Sequence, residues 1–569
     1  IIVFFKLNFY KNVIRFVSTK ILNVIFVSSI LSGFFLLLYS QIFNLFIPRS
    51  VPFIFMLVIF LSTSVLRLFV RNLYFYNKYS KKINVGILGV NDKTIQFLNI
   101  INQDYQYKPI CFFNNNQDYI NSNIGGIYVK SISVMSKVIK EQNLKIIYIN
   151  SDDINFSTKN LLSKQLTKNP IIIKEIPSFE NYISSSNILE SSKSIRIETL
   201  LGRELVTPNR KLMELNIKNK TVMITGAGGS IGNTLCKKIF KYKAKSIILV
   251  DNNEYALFKT YEYLKNQKFI DKLKVKLVPL ICSIQDIEKL SKIFTKFNIE
   301  TIFHAAAYKH VPLVEMNVTE AIQNNIFGTQ NLVDLSIKFK VKSFTLISSD
   351  KAVRPTSIMG VTKRFAELIC QNASKLNKNT IISVVRFGNV LGSSGSVIPI
   401  FENQIKSGGP VTLTDKRIKR FFMTLNEAAE LVIQSSSLSK RGNIFVLNMG
   451  KEINILDLAK QMIRLQGFNP CFKNKNNSNI IKNIEIIETG LRPGEKLFEE
   501  LFIGDKPRVT QHPRILTIKE KSIPSKQLYK ILEELNHCCK KNDVPKVYQI
   551  FKNAKIGFNT KDQTYDILQ

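Results

Sequence analysis

Two apolar stretches dominate the start of the chain. From Ile21 to Ile47 the hydrophobic positions are broken only by small or amide side chains such as Asn23, Ser40, Gln41 and Asn44. After a Pro48-Arg49-Ser50 turn, a second run extends from Val51 to Val70. A helix of about 20 residues crosses the hydrocarbon core of a bilayer, so the two runs read as a transmembrane helical hairpin. Two runs without a small-residue cleavage site argue against a cleaved signal peptide. Lys6, Lys11, Arg15 and Lys20 precede the first run, Arg67, Arg71, Lys78, Lys81 and Lys82 end or follow the second, and the turn carries Arg49 alone. The positive-inside rule then places both ends in the cytoplasm, with Arg67 set to snorkel. Because the chain opens on Ile1 directly in apolar sequence, further spans are expected ahead of it.

Beyond Lys82 the pattern changes. Ile83 to Leu88 reads as a buried strand running into Gly89, and Ile110 to Phe113 and Lys145 to Ile149 continue a strand–helix alternation. That rhythm predicts a small doubly wound α/β domain over residues 83–175. A connector follows over 176–220, including Ile197 to Arg203. Strands at Thr221–Thr225, Ser246–Val250 and Thr301–Phe303 then open a larger α/β domain over 221–520. Amphipathic patterns at Gln527–Cys539 and Val544–Phe551 predict a helical extension over 521–569, suited to packing or to oligomer contacts. The chain is therefore α/β, with residues 1–82 as a membrane anchor.

Composition changes this picture little. The formal net charge of +38 invites a nucleic-acid reading. Lysine is scattered along the chain without a compact basic stripe, which argues against nucleic acid and fits an anionic membrane surface better. Seven cysteines show no paired-cysteine metal spacing, which indicates buried thiols in a reducing compartment and no metal site.

The chemistry begins at Thr225. Gly226, Gly229 and Gly232 follow a strand and open a helix, with Gly228, Ser230 and Ile231 between them. The first glycine permits a tight turn, the second lets backbone approach a phosphate, and the third allows close helix packing. The next strand ends in Asp251, where a carboxylate accepts from an adenosine ribose and repels a 2′-phosphate, so NAD is expected as cofactor rather than NADP. By contrast, Gly89 is followed by Val90-Asn91-Asp92-Lys93-Thr94 without further glycine, and the 83–175 domain reads as a degraded Rossmann-like domain with a structural or regulatory role. Ala305 and Ala306, after a strand, let a cofactor lie on the backbone. His304 reads as a packed histidine, and Asn325 as an amide bonding backbone near the nicotinamide. Ser349, Asp350 and Lys351 bring a hydroxyl, a carboxylate and an amine together at a strand end.

These motifs, with His304 to Pro312, Met359 to Lys363, Arg386 to Asn389, Gly392 to Pro399, Arg420 to Thr424 and Leu491 to Leu497, resemble the membrane-bound nucleotide-sugar 4,6-dehydratases of the bacterial polysaccharide-biosynthesis family, extended short-chain dehydrogenases/reductases in their long form. The resemblance covers about residues 195–520. It implies an NAD-binding Rossmann domain and conversion of a UDP-linked N-acetylhexosamine, typically UDP-N-acetylglucosamine, to its 4-keto-6-deoxy derivative for surface polysaccharide or glycan. It also implies roles: Asp350 as acid for the C6 hydroxyl, Lys351 as base at C5, Ser349 at the C4 oxygen, and Lys363 on the nicotinamide ribose. Lys309, His310, Asn389 and Arg492 would contact the substrate, with Glu495 orienting Arg492. Soluble relatives carry a Tyr where this chain has Met359, and a thioether takes no proton, so the acceptor of the C4 hydroxyl proton is left open. The expected setting is the inner (plasma) membrane, multi-pass, with the catalytic domain cytoplasmic, as a homo-oligomer beside other glycan-assembly enzymes. The alternatives are a nucleotide-sugar 4-epimerase and a non-catalytic NAD-binding membrane scaffold.

Overall fold

A computed structural model describes residues 19–43, 46, 48, 50–78, 82–104, 106–150, 158, 161–162, 165, 169–176, 206–267, 275–393, 395–440, 442–472, 483–504, 507–560 and 566–568. Lys6, Lys11, Arg15, Arg49, Lys81 and the stretch 197–203 lie outside the described residues, as do the side chains of Lys20, Arg71 and Lys78. The chain divides into two compact units, Ile1–Asn150 with Ile176–Ile188, and Ser151–Glu175 with Leu189–Gln569.

In the first unit, α1 (Thr19–Ile42) and α2 (Ser50–Lys78) pack side by side. Contact is close where Gly33 lies under Met56: a Cβ there would sit 2.3 Å from Met56 Cγ. Phe26 and Phe60 meet edge to face at 5.7 Å. Phe34, Phe35, Leu57 and Leu66 are exposed on the outer faces. Asn23–Ile42 and Ser50–Arg67 are long and apolar enough to cross a membrane. The second helix outlasts its apolar run because Arg71 to Lys78 contains no Gly or Pro to stop it.

The α/β part of this unit has β1 (Ile83–Leu88), α3 (Asp92–Gln103), β2 (Tyr107–Asn114), β3 (Asn123–Ile124), β4 (Ile127–Ser131), α4 (Met135–Glu141) and β5 (Ile146–Ile149). Within this unit the strands of the six-stranded sheet run β3-β4-β2-β1-β5 and are parallel except for the β3–β4 hairpin. Val85, Ile87, Phe97, Phe112 and Tyr148 are fully buried within it. The turn after β1 differs from a phosphate-gripping one in a definite way. Asn91 caps α3 by accepting from Thr94 N–H at 2.9 Å, its own N–H donates to Thr94 Oγ1 at 2.9 Å, and Asp92 puts an acid in the first turn. The helix end that would attract an anion already holds a side-chain acceptor and a negative charge.

The second unit is built on a nine-stranded sheet. Its strands are β6 (Thr221–Thr225), β7 (Ser246–Asp251), β8 (Lys276–Ile281), β9 (Thr301–His304), β10 (Ser343–Ile347), β11 (Ile381–Arg386), β12 (Ile444–Leu447), β13 (Arg508–Val509) and β14 (Ile515–Ile518). The order is β13-β14-β12-β11-β10-β9-β6-β7-β8. β8 to β12 are mutually parallel, and β14 and β13 add antiparallel at one edge. The chain leaves β6 toward β8, then returns to β9 on the other side of β6. Such a reversal opens a crevice at the carboxyl ends of β6 and β9, where open α/β sheets bind ligands.

Helix α5 (Ser230–Lys241) follows β6, α6 (Gly328–Lys338) precedes β10, and α7 (Ile358–Leu376) follows it. Residues 358–374 of α7 are buried throughout. The reason is the C-terminal hairpin, α8 (Ser525–Lys541) and α9 (Val544–Asn553), whose Leu535, Val547 and Phe551 join the core around α7. Phe365 and Phe551 pack at 5.4 Å. Glu315 ties these parts together, accepting from Ile358 N–H at the start of α7 (2.7 Å) and from the Tyr548 hydroxyl of α9 (3.1 Å). The helices after residue 521 thus share the second unit's core rather than forming an appendage. Ser151–Glu175, which the strand–helix rhythm assigns to the first domain, clusters with the second unit, where Ile171 N–H donates to the Arg464 carbonyl at 2.9 Å.

Candidate active site

The glycine turn is shaped by contacts that exclude a side chain. Gly226 has φ +67, and a Cβ there would lie 2.7 Å from Ala306 N, so the turn and the segment after β9 touch backbone to backbone. A Cβ on Gly232 would fall 1.9 Å from the Gly226 carbonyl oxygen, which seats α5 directly on the turn. Gly229 is the N-cap of α5 without a side-chain cap, and the first turn holds no acid. This is the reverse of the Asn91 cap in the first unit, and it suits an anionic diphosphate. Asp251 fixes the turn from beside it: Oδ2 accepts from Gly228 N–H at 2.8 Å and Oδ1 from Asn253 N–H at 2.9 Å. A carboxylate so placed retains lone pairs for a ribose hydroxyl.

A cavity of about 670 Å³ opens beside this turn. Gly226, Gly229, Ser230, Ile231 and Gly232 line one side, Ala305, Lys309 and His310 another, and Ser349, Lys351, Met359, Lys363 and Asn389 the floor. Gly228, Asp251, Ala306, Asn325, Asp350 and Arg492 are not among the lining residues.

The contacts of Asn325 and Glu495 bear on two of the expected roles. Asn325 spends its amide on the protein: Oδ1 accepts from Tyr308 N–H (2.8 Å), while Nδ2 donates to the Tyr308 carbonyl and to Thr362 Oγ1 (both 3.0 Å). It bonds the Tyr308 backbone beside the cleft, as an amide at this place was expected to bond backbone. Glu495 does not orient the Arg492 guanidinium. It accepts instead from the Arg492 backbone N–H at 3.2 Å, across the turn that Gly494 makes, and its other oxygen faces Arg420 at 3.5 Å. His304 is packed as expected. Thr225 and Thr329 flank its ring nitrogens at 2.7 and 2.9 Å, and burial, with Lys363 nearby, pulls it down to about 3. It stays neutral.

At the carboxyl end of β10, Ser349 Oγ donates to Asp350 Oδ1 at 2.8 Å, and Lys351 Nζ reaches the same oxygen at 3.0 Å. Asp350 is 1 % exposed, and Ser349 and Lys351, which contact it, face the cavity in its place. The ammonium of Lys351 also lies 3.2 Å from Glu499 Oε1 and 3.4 Å from Asn389 Oδ1. Burial opposes its charge, yet Asp350 and Glu499 outweigh burial and push its pKa up. Lys363, one turn along α7 from Met359, donates to the Ile347 carbonyl at 3.0 Å, and burial lowers it to about 8 against the pull of Glu367.

Behind this floor lies an ionic network absent from the sequence reading. Arg386 is fully buried and meets Glu367 and Glu520 at 2.6 Å each. Arg364 joins both carboxylates at 2.9 Å, and Ser348, at the end of β10, donates to Glu367 at 2.7 Å. Glu499 was missed too. It falls just past the Leu491 to Leu497 motif, and only the acidic pair Glu499-Glu500 marks it.

A family model described as polysaccharide biosynthesis protein matches residues 222–520. The capsular polysaccharide biosynthesis protein CapD of Staphylococcus aureus is 39% identical over 375 residues, which are 66% of this chain and 60% of that protein. The probable polysaccharide biosynthesis protein EpsC of Bacillus subtilis is 40% identical over 398 residues, 69% of this chain and 64% of that one. The chain thus spans less than two thirds of the length of either. A UDP-glucose 4-epimerase of Rickettsia rickettsii is 33% identical over 291 residues, 51% of this chain and 79% of the epimerase.

Proposed function

The chain belongs to the polysaccharide biosynthesis protein family, and on that premise we propose that it is a membrane-anchored, NAD-dependent 4,6-dehydratase acting on a UDP-linked N-acetylhexosamine, with UDP-N-acetylglucosamine as the substrate to test. The observation that carries this reading is Lys351, held between carboxylates at the end of β10 and facing the cavity that the glycine turn also lines. Elimination of water across C5 and C6 needs an acid and a base together, and hydride transfer alone needs neither at C6. When bound, NAD supplies the hydride acceptor at C4 and the hydride donor at C6. The bare N-terminus of α5 holds its diphosphate, Asp251 its adenosine ribose, and Lys363 its nicotinamide ribose. Ser349 bonds the C4 oxygen, and Asp350 delivers its proton through the Ser349 side of the cavity. Asn389, Lys309 and His310 face the sugar nucleotide. The two apolar helices anchor the enzyme, with the catalytic unit in the cytoplasm.

The decisive experiment supplies purified protein with UDP-N-acetylglucosamine and NAD and follows product mass. Loss of water supports the dehydratase. An unchanged mass with a new C4 epimer supports the second reading, a 4-epimerase, which the Rickettsia relative favours. No conversion would reject both.

Cofactor choice gives a further expectation. NAD⁺ should bind well ahead of NADP⁺ in calorimetric titration, because a 2′-phosphate would face the Asp251 carboxylate. Affinity should fall as pH rises through about 8, where Lys363 loses the proton that its ribose contact uses. Equal binding of the two cofactors would remove Asp251 from this role. Met359→Leu should leave turnover within a few-fold, since an apolar side chain of similar volume fills the same buried place. A large loss would give the thioether a part in the chemistry.

A further inference from the structure

One ionisable side chain in contact with Lys351 has no part in the reaction above. Glu499 is 3 % exposed, its Oε1 lies 3.2 Å from Lys351 Nζ, and its Oε2 is buried with no hydrogen-bond partner among the described residues. Asp350 mirrors it: Oδ1 lies 3.0 Å from the same nitrogen, and Oδ2 is buried and equally unpartnered. Lys351 therefore sits between two carboxylates that each keep one oxygen engaged and one idle.

The surrounding charges do not relieve this. Arg420 Nε is 3.9 Å from Glu499 Oε1, but its terminal nitrogens serve the Lys419, Leu497 and Lys496 carbonyls. Lys496 donates to the Val353 carbonyl at 2.7 Å, Glu500 pairs with Arg354, and Glu495 faces Arg420. A proton moving 3.2 Å from Lys351 to Glu499 would turn an ion pair into a neutral pair without breaking their contact.

We propose that Glu499 is a positioning residue that exchanges a proton with Lys351, so that Lys351 can act as a base while Asp350 holds the proton destined for the leaving hydroxyl. The inference rests on the dehydratase reading. At rest Lys351 is an ammonium between the two carboxyl groups. Oxidation at C4 releases the hydroxyl proton, which passes through Ser349 Oγ to Asp350, forming its O–H bond. The Lys351 N–H bond then breaks as the Glu499 O–H bond forms, leaving an amine. That amine takes the C5 proton, and the Asp350 proton departs with the C6 hydroxyl as water. Once C6 has received its hydride, Lys351 returns a proton to C5 and recovers one from Glu499. The cluster ends with the protons it began with.

Because the resting and reactive forms of the Lys351–Glu499 pair hold the same number of protons, the wild-type rate of water loss should be nearly flat with pH across neutrality. Glu499→Gln removes the acceptor. Its amine can form only by losing a proton to solvent, so turnover should fall by about 10²-fold near neutral pH and then climb with pH. Glu499→Asp should restore the flat profile. A Glu499→Gln enzyme that keeps the wild-type pH dependence, whatever its absolute rate, would overturn the proposal, since a purely structural loss scales the profile without tilting it. A wild-type enzyme that releases no water would instead reject the dehydratase reading, and this inference with it. Hydrogen exchange of α7 in each variant separates misfolding from altered chemistry.

Discussion

Asp350→Asn is expected to slow loss of water from the sugar nucleotide by about 10²–10⁴-fold, the usual cost of removing a general acid. The amide keeps the shape of the carboxylate and can still accept from Ser349 and Lys351, whose contacts of 2.8 and 3.0 Å hold the loop after β10. Fold and NAD binding should therefore survive, because Asp350 belongs neither to the glycine turn nor to the Asp251 contact. What the variant loses is a transferable proton and one of the two negative charges that keep Lys351 protonated. Initial rates of water loss by mass, beside NAD titration, check both halves. Near-normal turnover would remove Asp350 from the mechanism, and lost NAD binding would show that it supports the fold instead.

That Asp350, Lys351 and the glycine turn could be found in the sequence reflects how local their logic is. A turn that places Gly226, Gly229 and Gly232 between a strand and a helix is encoded within one short segment. Ser349, Asp350 and Lys351 are neighbours in the chain as well as in space. Glu499 and Arg386 are different. Each pairs with a residue that the fold brings to it from elsewhere in the chain, and neither sits in a pattern that names that partner. Arg492 and Asn325 are a third case. The Asn325 amide bonds backbone, as its residue type suggested, but that the backbone is that of Tyr308 is set by the fold, as is the contact of the Arg492 N–H with Glu495. The C-terminal helices were legible as amphipathic elements, since Leu528, Ile531, Leu532 and Leu535 fall on one face. That this face closes over α7 depends on distant residues such as Phe365, and periodicity carries no address. The Asn91–Thr94 cap was equally written in the chain, and it explains physically why the first α/β domain lacks the bare helix end that the second one offers.

The largest stability effect should follow from Arg386→Met. The guanidinium is fully buried between Glu367 and Glu520, so the substitution leaves two buried carboxylates to share Arg364 alone. Breaking one side of such a buried cluster costs about 3–5 kcal/mol, because the remaining charges stay in a poor solvent. The pH dependence has a definite sign. Burial works to raise the Glu367 pKa, but Arg386 and Arg364 outweigh it and hold the group below the ordinary carboxylate range. Its contribution to stability is therefore complete above that ordinary range and is lost as pH falls through the depressed value. In the variant, Glu367 loses its main counter-charge and titrates higher, so mild acid neutralises the stranded carboxylate. The gap between variant and wild type should be widest near neutral pH and should narrow as pH falls. Hydrogen-exchange protection of α7, measured on the full chain across that range, would follow it. Adding Glu367→Gln to Arg386→Met should recover part of the loss, since it removes one of the unpaired charges while still accepting from Ser348. A variant gap that stays constant with pH, or a double substitution no better than the single one, would mean that Arg386 acts by filling space rather than by balancing charge beneath the Ser348 end of β10.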